Sequence, residues 1–390
     1  MAGAEQNIFL TAGALKERGH HISILYQQRS GRDESSWESI FDHAIAVPMS
    51  GKWTVTREAQ LLETLGIIKP DLFYIHKMPD LSLLRKILKI GRPVVRMVHD
   101  HDIYCMRGYR YHPLTRKICH RKTGLPCYFT CGAFIVRTRK RLFPLAFRSL
   151  SHKKDEIMLN QQVDKVFVVT NYMKEEFITQ GFTPNKIEIF PPIPKTISNP
   201  PMPMFSQPTV LYIGQIIRGK GVDCLIKALA LLKVPYQALI IGTGSHKTYC
   251  ERLTKKLGIG DHVQFLGWVN HDQLASYYRD AILVAVPSVW PEPIATIGLE
   301  VMRYKLPVVG FNSGGIGDWL IDNVNGFLVN WMDIKAFSIA METLLQDTEL
   351  ARSMGIKSFE IIQKLYDFES YIARMEDCFY TLVRSKQIDI

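Results

Sequence analysis

Residues 287–300 read Pro287-Ser288-Val289-Trp290-Pro291-Glu292-Pro293-Ile294-Ala295-Thr296-Ile297-Gly298-Leu299-Glu300. The block follows Ile282–Val286, an apolar run of strand length and composition. Beyond it the pattern turns helical, with a proline where a first helical turn tolerates one. Two glutamates, Glu292 and Glu300, therefore flank a strand-to-helix turn. The spacing predicts a helix that starts after Pro293 and carries Glu300 two turns in. Free N–H groups at Ile294, Ala295 and Thr296 would then face an anion such as a diphosphate. Glu300 is suited to a ribose diol and Glu292 to the hydroxyls of an attached sugar. The plainer alternative is that Glu292 caps the helix and Glu300 is simply exposed.

Neighbouring stretches repeat the arrangement of strand, glycine turn and helix. Gly214-Gln215-Ile216-Ile217-Arg218-Gly219-Lys220-Gly221 lies between the strand Val210–Ile213 and the helix Val222–Leu232. Glycines there let backbone approach a phosphate, and Arg218 and Lys220 are placed to neutralise it. Gly242-Thr243-Gly244 ends the strand Ala238–Ile241, but the full G-x-G-x-x-G fingerprint of a dinucleotide site is absent. Phe311-Asn312-Ser313-Gly314-Gly315-Ile316-Gly317-Asp318 is a further strand and Gly-rich loop, with Asp318 set to touch a ligand or cap a helix. Strands at His262–Leu266 and Pro307–Val309 and a helical tail from Asp333 complete the series.

Before this half stands Pro191–Pro208, with seven prolines in eighteen residues, the composition of a linker. The first half keeps the same rhythm, with strands expected at Asp71–Ile75, Val94–Val98, Val166–Val169 and Ile187–Phe190. The expected fold is α/β, two Rossmann-like domains facing a central cleft. Its domains are 1–192 on the acceptor side, a linker 193–207, a donor-side domain 208–365, and a helix 366–390 returning to the first domain. The chain opens with a helix over Glu5–Arg18 and a strand over His21–Tyr26, without the strand that should precede them. The expectation is a chain short by one strand and loop, about 10–20 residues.

The chain has 390 residues, 47% of them apolar, enough for two cores. It has no apolar run long enough to cross a membrane and no signal-peptide pattern. Seven cysteines in such a chain point to a reducing compartment. The expected location is cytoplasmic, free or held peripherally on the inner face of a membrane. Net charge is +11, and residues 101–154 hold thirteen Lys/Arg against the single acid Asp102, so this stretch carries the excess. That suits an anionic partner. A nucleic-acid partner would leave the 287–300 block unexplained and is set aside. Phe134–Arg148 interleaves aromatic and basic residues, as an anionic membrane surface would favour; a helix with its apolar face in the core is the alternative. Cys105, Cys119, Cys127 and Cys131 lie in the same region. Their spacing is not C-x2-C pairing, and a structural zinc site, buried free thiols and disulfides all stay open.

The G-x6-G string at Gly214, the Pro287–Glu300 block, and Pro307–Asp318 followed by Asn325-Gly326-Phe327-Leu328-Val329 resemble the retaining nucleotide-sugar glycosyltransferases of family 4, which have the GT-B fold. The resemblance extends over essentially the whole chain, with a subgroup's Cys-containing insertion, here about residues 103–154, after a His-Asp step. It implies that Lys220 holds the donor diphosphate, Glu300 the ribose and Glu292 the donor sugar. Gly267-Trp268-Val269 would read the base. His99, which ends Pro93–Val98, would face the donor from the first domain, with Asp100 or His101 as lesser participants. Gly3 ends the family's Gly-rich loop, and Gln215, Arg218 and Gly244 join the donor set. Gln215 stands where the family often has arginine, Ala295 where it has glycine, and Asp318 where glutamate is common. The resemblance further implies that no metal is needed for the chemistry and that the acceptor is often lipid-linked. A nucleotide-sugar epimerase and an inactive, truncated nucleotide-sugar-binding protein are the rival readings.

Overall fold

The computed structural model describes residues 3–27, 39–47, 54–133, 135–137, 145–193, 200, 202–205 and 207–388. In the first half the strands are β1 (Ser23–Tyr26), β2 (His43–Ala46), β3 (Phe73–Ile75), β4 (Val94–Val98), β5 (Ile135–Arg137), β6 (Leu145–Phe147), β7 (Lys165–Val168) and β8 (Ile187–Ile189). In the second they are β9 (Thr209–Ile213), β10 (Gln237–Ile241), β11 (Val263–Gly267), β12 (Leu283–Val286), β13 (Val308–Phe311) and β14 (Gly326–Val329).

The second half is a six-stranded parallel sheet in the order β11-β10-β9-β12-β13-β14. The chain order reverses at β9/β12, and open α/β sheets bind ligands beyond the carboxyl ends of strands at such a switch point. The loops after β9 and β12 carry the Gly214–Gly221 string and the Pro287–Glu300 block, so both rise at that point.

The first half holds a four-stranded parallel sheet, β3-β4-β7-β8, and a separate parallel pair, β1-β2. Among the described residues no strand joins the two. All five residues of β4 are buried, as expected for a central parallel strand covered on both faces. One cover is the helix Leu81–Lys89, which buries Leu81, Leu83, Leu84 and Ile87; Asp80 caps it by accepting from the Ser82 and Leu83 N–H groups. The other is the last helix, Phe368–Ile388: Phe379 meets Tyr74 and Phe167, and Tyr371 meets Phe190. Its Glu376 also bonds Arg18 and His20. The C-terminal helix therefore lies on the N-terminal domain.

Two local expectations change. In the basic segment the described residues are not helical: Ile135–Arg137 pairs antiparallel with Leu145–Phe147. Pro144 is incompatible with a helix interior, and the basic run that would meet a membrane falls largely on 138–144, outside the described residues. The helix after Pro293 begins later, at Thr296. Pro291 and Pro293 remove two N–H donors, and Ala295 sits in the left-handed region (φ 57°), which delays the first turn. Glu300 is thus the fifth residue of a seven-residue helix, not two turns in.

Candidate active site

Close backbone contacts bind the donor-side loops together. Gly221 has φ +68°, and a Cβ there would collide with the Pro287 carbonyl. Gly314 has φ +66°, and a Cβ there would strike the Glu292 backbone. The loops after β9, β12 and β13 are thereby pressed onto one another, which only glycine permits at these two points. The Val289 and Trp290 N–H groups donate to the Gly219 carbonyl at 2.9 and 3.0 Å.

Within this frame Lys220 reaches Glu292: its Nζ donates to Oε1 at 2.7 Å and lies 5.4 Å from the centre of the Trp290 ring. Ser288 Oγ (2.5 Å) and Trp290 Nε1 (2.6 Å) donate to the same oxygen. Glu292 is buried, and its carboxylate does not cap the helix. Glu300 Oε1 accepts from Tyr278 Oη at 2.8 Å and lies 3.1 Å from His271 Nε2. Burial beside this carboxylate pushes the Tyr278 phenol well up, so it stays a donor. Gly267 (φ +73°) ends β11, its carbonyl accepts from Gly242, and Trp268 beyond it is exposed.

The first half closes over these loops through a set of cross-domain contacts. His101 is fully buried, with Nδ1 at 2.6 Å from Tyr104 Oη and Nε2 at 2.8 Å from the Pro291 carbonyl, next to Glu292. Thr170 Oγ1 donates to the Pro293 carbonyl at 2.8 Å. The insertion contributes Arg116, whose Nη1 pairs with Asp223 at 3.0 Å. Arg218 donates in the other direction, to the carbonyls of Pro113 and Leu114.

Residues 1–193 match the family Glycosyltransferase Family 4, and residues 204–360 match Glycosyl transferases group 1. This chain belongs to the family 4 glycosyltransferases, with the GT-B fold. An uncharacterized glycosyltransferase of Methanocaldococcus jannaschii is 26% identical over 351 residues, 86% of this chain and 83% of that protein. The GDP-mannose-dependent alpha-(1-6)-phosphatidylinositol monomannoside mannosyltransferase of Mycolicibacterium smegmatis is 27% identical over 218 residues. That match covers 51% of this chain and spans 57% of the relative's length. Among solved structures, the HepE protein of Anabaena in complex with UDP superposes with a TM-score of 0.71 at 17% identity, over 96% of each chain.

In this glycosyltransferase the sequence-selected residues are distributed unequally. Lys220, Glu292, Ile294, Ala295, Thr296 and Glu300 stand on two adjoining loops and the helix that follows. Gln215 and Gly244 lie exposed on the neighbouring loops after β9 and β10. Arg218 is turned away, onto carbonyls of the insertion, so its charge is engaged there. Asp318 accepts from the Asn171 N–H, the first of the helix Asn171–Thr179, and so caps a helix of the opposite domain. Gly3 opens the first helix. His99 stays within its own domain: its Nε2 lies 3.2 Å from His76 Nδ1, and burial lowers its pKa to about 4. His101 is the histidine that reaches the donor loops, and burial holds it neutral as well, at about 4.

The sequence pattern did not disclose Tyr278, His271, Ser288, Arg116, Asp223 or Thr170. Each is brought in by tertiary packing and belongs to no local motif. Cys105, Cys119, Cys127 and Cys131 are free, without disulfides, and burial raises the Cys127 thiol. Among the described residues no three His, Cys, Asp or Glu side chains converge to hold a metal. Among the described residues no helix is long and apolar enough to cross a membrane.

Proposed function

We propose that this glycosyltransferase moves a sugar from a nucleotide-diphosphate sugar, a UDP- or GDP-sugar, to an acceptor hydroxyl with retention of configuration, in glycoconjugate synthesis. The observation that carries the reading is the convergence of Lys220, Glu292 and Glu300 at the carboxyl ends of β9 and β12. In this reading the nucleotide lies on Gly267–Val269 and its ribose diol bonds Glu300, taking over from Tyr278 and His271. Lys220 turns from Glu292 toward the diphosphate, aided by the N–H groups of Ile294, Ala295 and Thr296. A fixed cation aimed at the charge that develops on the leaving group stabilises the transition state without a divalent metal. Glu292 holds sugar hydroxyls. Its Oε1 still accepts from Ser288 and Trp290 once Lys220 has turned away, which disfavours it as a nucleophile and supports attack of the acceptor on the leaving-group face. His99, neutral by burial, supplies a hydrogen bond from the acceptor side and not a strong base; His101, both of whose nitrogens are taken by Tyr104 and the Pro291 carbonyl, holds the two domains together there.

The relative named above acts on a phosphatidylinositol mannoside, which supports a lipid-linked acceptor. Exposed Phe129 and Phe147 beside the basic stretch support docking on an anionic membrane surface. Sedimentation should show binding to anionic vesicles and none to neutral ones; equal binding to both refutes the docking. A thermal-shift screen of UDP-, GDP- and ADP-sugars tests the donor. One donor should raise the melting temperature, the shift should vanish in Glu300→Ala, and chelation should leave turnover intact. No shift with any nucleotide sugar overturns the reading, and donor consumption without an acceptor turns it into epimerisation. Zinc content settles the cysteines: under about half an equivalent per chain, unaffected by chelation, marks free thiols, by the stoichiometry of a four-thiolate site.

A further inference from the structure

Residues 109–119 of the insertion form a small hairpin. Tyr111 and Ile118 face each other in an antiparallel bridge, the His112 N–H donates to the Lys117 carbonyl at 2.8 Å, and the Cys119 N–H donates to the Arg110 carbonyl at 2.7 Å. The hairpin is fixed at both ends. At its base the buried Arg110 pairs with Glu176, on the helix Asn171–Thr179 of the first domain, and donates to the Arg121 carbonyl at 2.7 Å. At its tip Arg116 holds Asp223 of the second domain, and the Pro113 and Leu114 carbonyls accept from Arg218. A hairpin tied to both domains crosses from one to the other beside the Gly214–Gly221 loop.

The base of the hairpin carries two tyrosines. Tyr109 and Tyr111 flank Arg110, and their rings meet at 6.2 Å with 65° between the planes. Tyr109 also meets Trp290 of the second domain, at 5.7 Å and 48°. Trp290 belongs to the donor loops. Its Nε1 holds Glu292, Lys220 Nζ lies 5.4 Å from its ring centre, and Gly219 packs against it so closely that a Cβ there would stand 3.2 Å from the indole. Tyr109 therefore lies one aromatic ring outward from Glu292 and Lys220, on the side of the first domain. Neither of its ring contacts is face to face, so a face stays free, and Tyr109 is 45% exposed. A scattered exposed tyrosine needs no explanation. This one is held by Tyr111, Trp290 and the anchored Arg110, so little further ordering would be needed for it to bind. The negative face of an aromatic ring attracts weakly positive C–H groups, and a pyranose presents a face of C–H bonds with hydroxyls at its rim. Carboxylates able to meet those hydroxyls stand close by: Glu292 beyond Trp290, and Asp102, whose Oδ1 lies against Gly108. An alkyl chain would leave both carboxylates unmet.

We propose that Tyr109 is the platform on which the acceptor rests, and that the acceptor end it holds is itself a sugar. A pyranose lies with its C–H face on the free face of Tyr109 and turns a hydroxyl past Trp290 toward the donor sugar at Glu292. The assignment of that ring to the acceptor rests on the sugar-transfer reading; the pyranose site does not.

Saturation-transfer NMR of the full chain with the methyl pyranosides of glucose, galactose and mannose tests it, with glycerol as a polyol that has no ring face. At least one pyranoside should receive saturation, strongest at the protons of one C–H face, and glycerol should receive none. Tyr109→Ala should weaken that binding about tenfold, the worth of one aromatic contact. Tyr109→Phe keeps the ring and should restore most of it. Both variants should melt as wild type does, because the ring is nearly half exposed. Binding of no pyranoside, equal saturation of glycerol, undiminished binding in Tyr109→Ala, or a loss that Tyr109→Phe does not restore would each overturn the platform. So would a melting temperature lowered alike in both variants, which marks a structural residue. The nucleotide sugar that raises the melting temperature should bind together with the pyranoside. Displacement of one by the other would place the ring in the donor's own sugar pocket and overturn the acceptor assignment. Failure of the nucleotide screen alone would remove the donor reading and leave the pyranoside arms standing.

Discussion

Two buried or half-buried cations, one on each side of the cleft, differ in how fully they are paired. On the donor side Lys220 lies on Glu292, and Asp223 is met by Arg116. On the acceptor side Arg110 is paired with Glu176, whereas Arg96, in the middle of β4, is buried with Nε and Nη1 unpaired. The donor half is self-neutralised before any ligand arrives, so ligand must exchange one partner for another. Arg96 has no such partner to exchange among the described residues. The same substitution, a cation to methionine, should therefore have opposite signs in the two places.

The largest effect is expected at Lys220. Lys220→Met leaves a buried carboxylate held by two neutral donors, and chemical denaturation should show a loss of about 2–3 kcal/mol. Arg96→Met should show no loss. If both variants destabilise equally, the contrast between the halves fails.

Acid should act next. Burial lowers His99 and His101 to about 4 from an ordinary value near 6.5, and lowers His76 in the same direction. A base whose folded pKa is depressed stays neutral in the native state while the unfolded chain takes up the proton. Its contribution is complete above about pH 6.5 and is lost as pH falls toward 4, on the order of a few kcal/mol for the group. Denaturation midpoints across that window should fall with pH, and His101→Gln should flatten part of the slope. A midpoint that stays level between pH 6.5 and 4 contradicts the neutral-histidine assignment.

Arg116→Leu breaks the ion pair to Asp223 and should cost about 1–3 kcal/mol, since the pair is buried but Asp223 keeps His246 at 3.8 Å. The smallest effect is a gain. Ala295 holds φ 57°, and Ala295→Gly should stabilise by about 1 kcal/mol. A loss on that substitution would mean that the alanine methyl is needed where it packs.

What could be read from the sequence follows the same division. The donor half was legible because its loops touch backbone to backbone, and contacts that close admit only glycine at Gly221 and Gly314. Such constraints leave fixed spacings, and Lys220, Glu292 and Glu300 fall at fixed offsets from them. The start of the helix at Thr296 was not legible, because two prolines and one strained alanine override the periodic pattern. Asp318 and Arg218 were selected from local pattern as ligand-contact candidates, but the partners they meet, Asn171 and the carbonyls of Pro113 and Leu114, lie more than a hundred positions away in the chain. His101 was ranked below His99 for the same reason: nothing local shows that it reaches Pro291. β2 and the β5–β6 pair were missed because each strand has only three or four residues, too few to establish a period.

The insertion that grips the donor domain has a consequence for engineering. Exchanging everything after the proline-rich linker for a relative's second domain is the obvious way to graft a new sugar preference onto this enzyme. That cut would separate Arg116 from Asp223, Arg218 from Pro113 and Leu114, and His101 from the carbonyl it holds. A chimera should therefore carry residues 101–123 across with the second domain, treating the two distant segments as one transplantable unit.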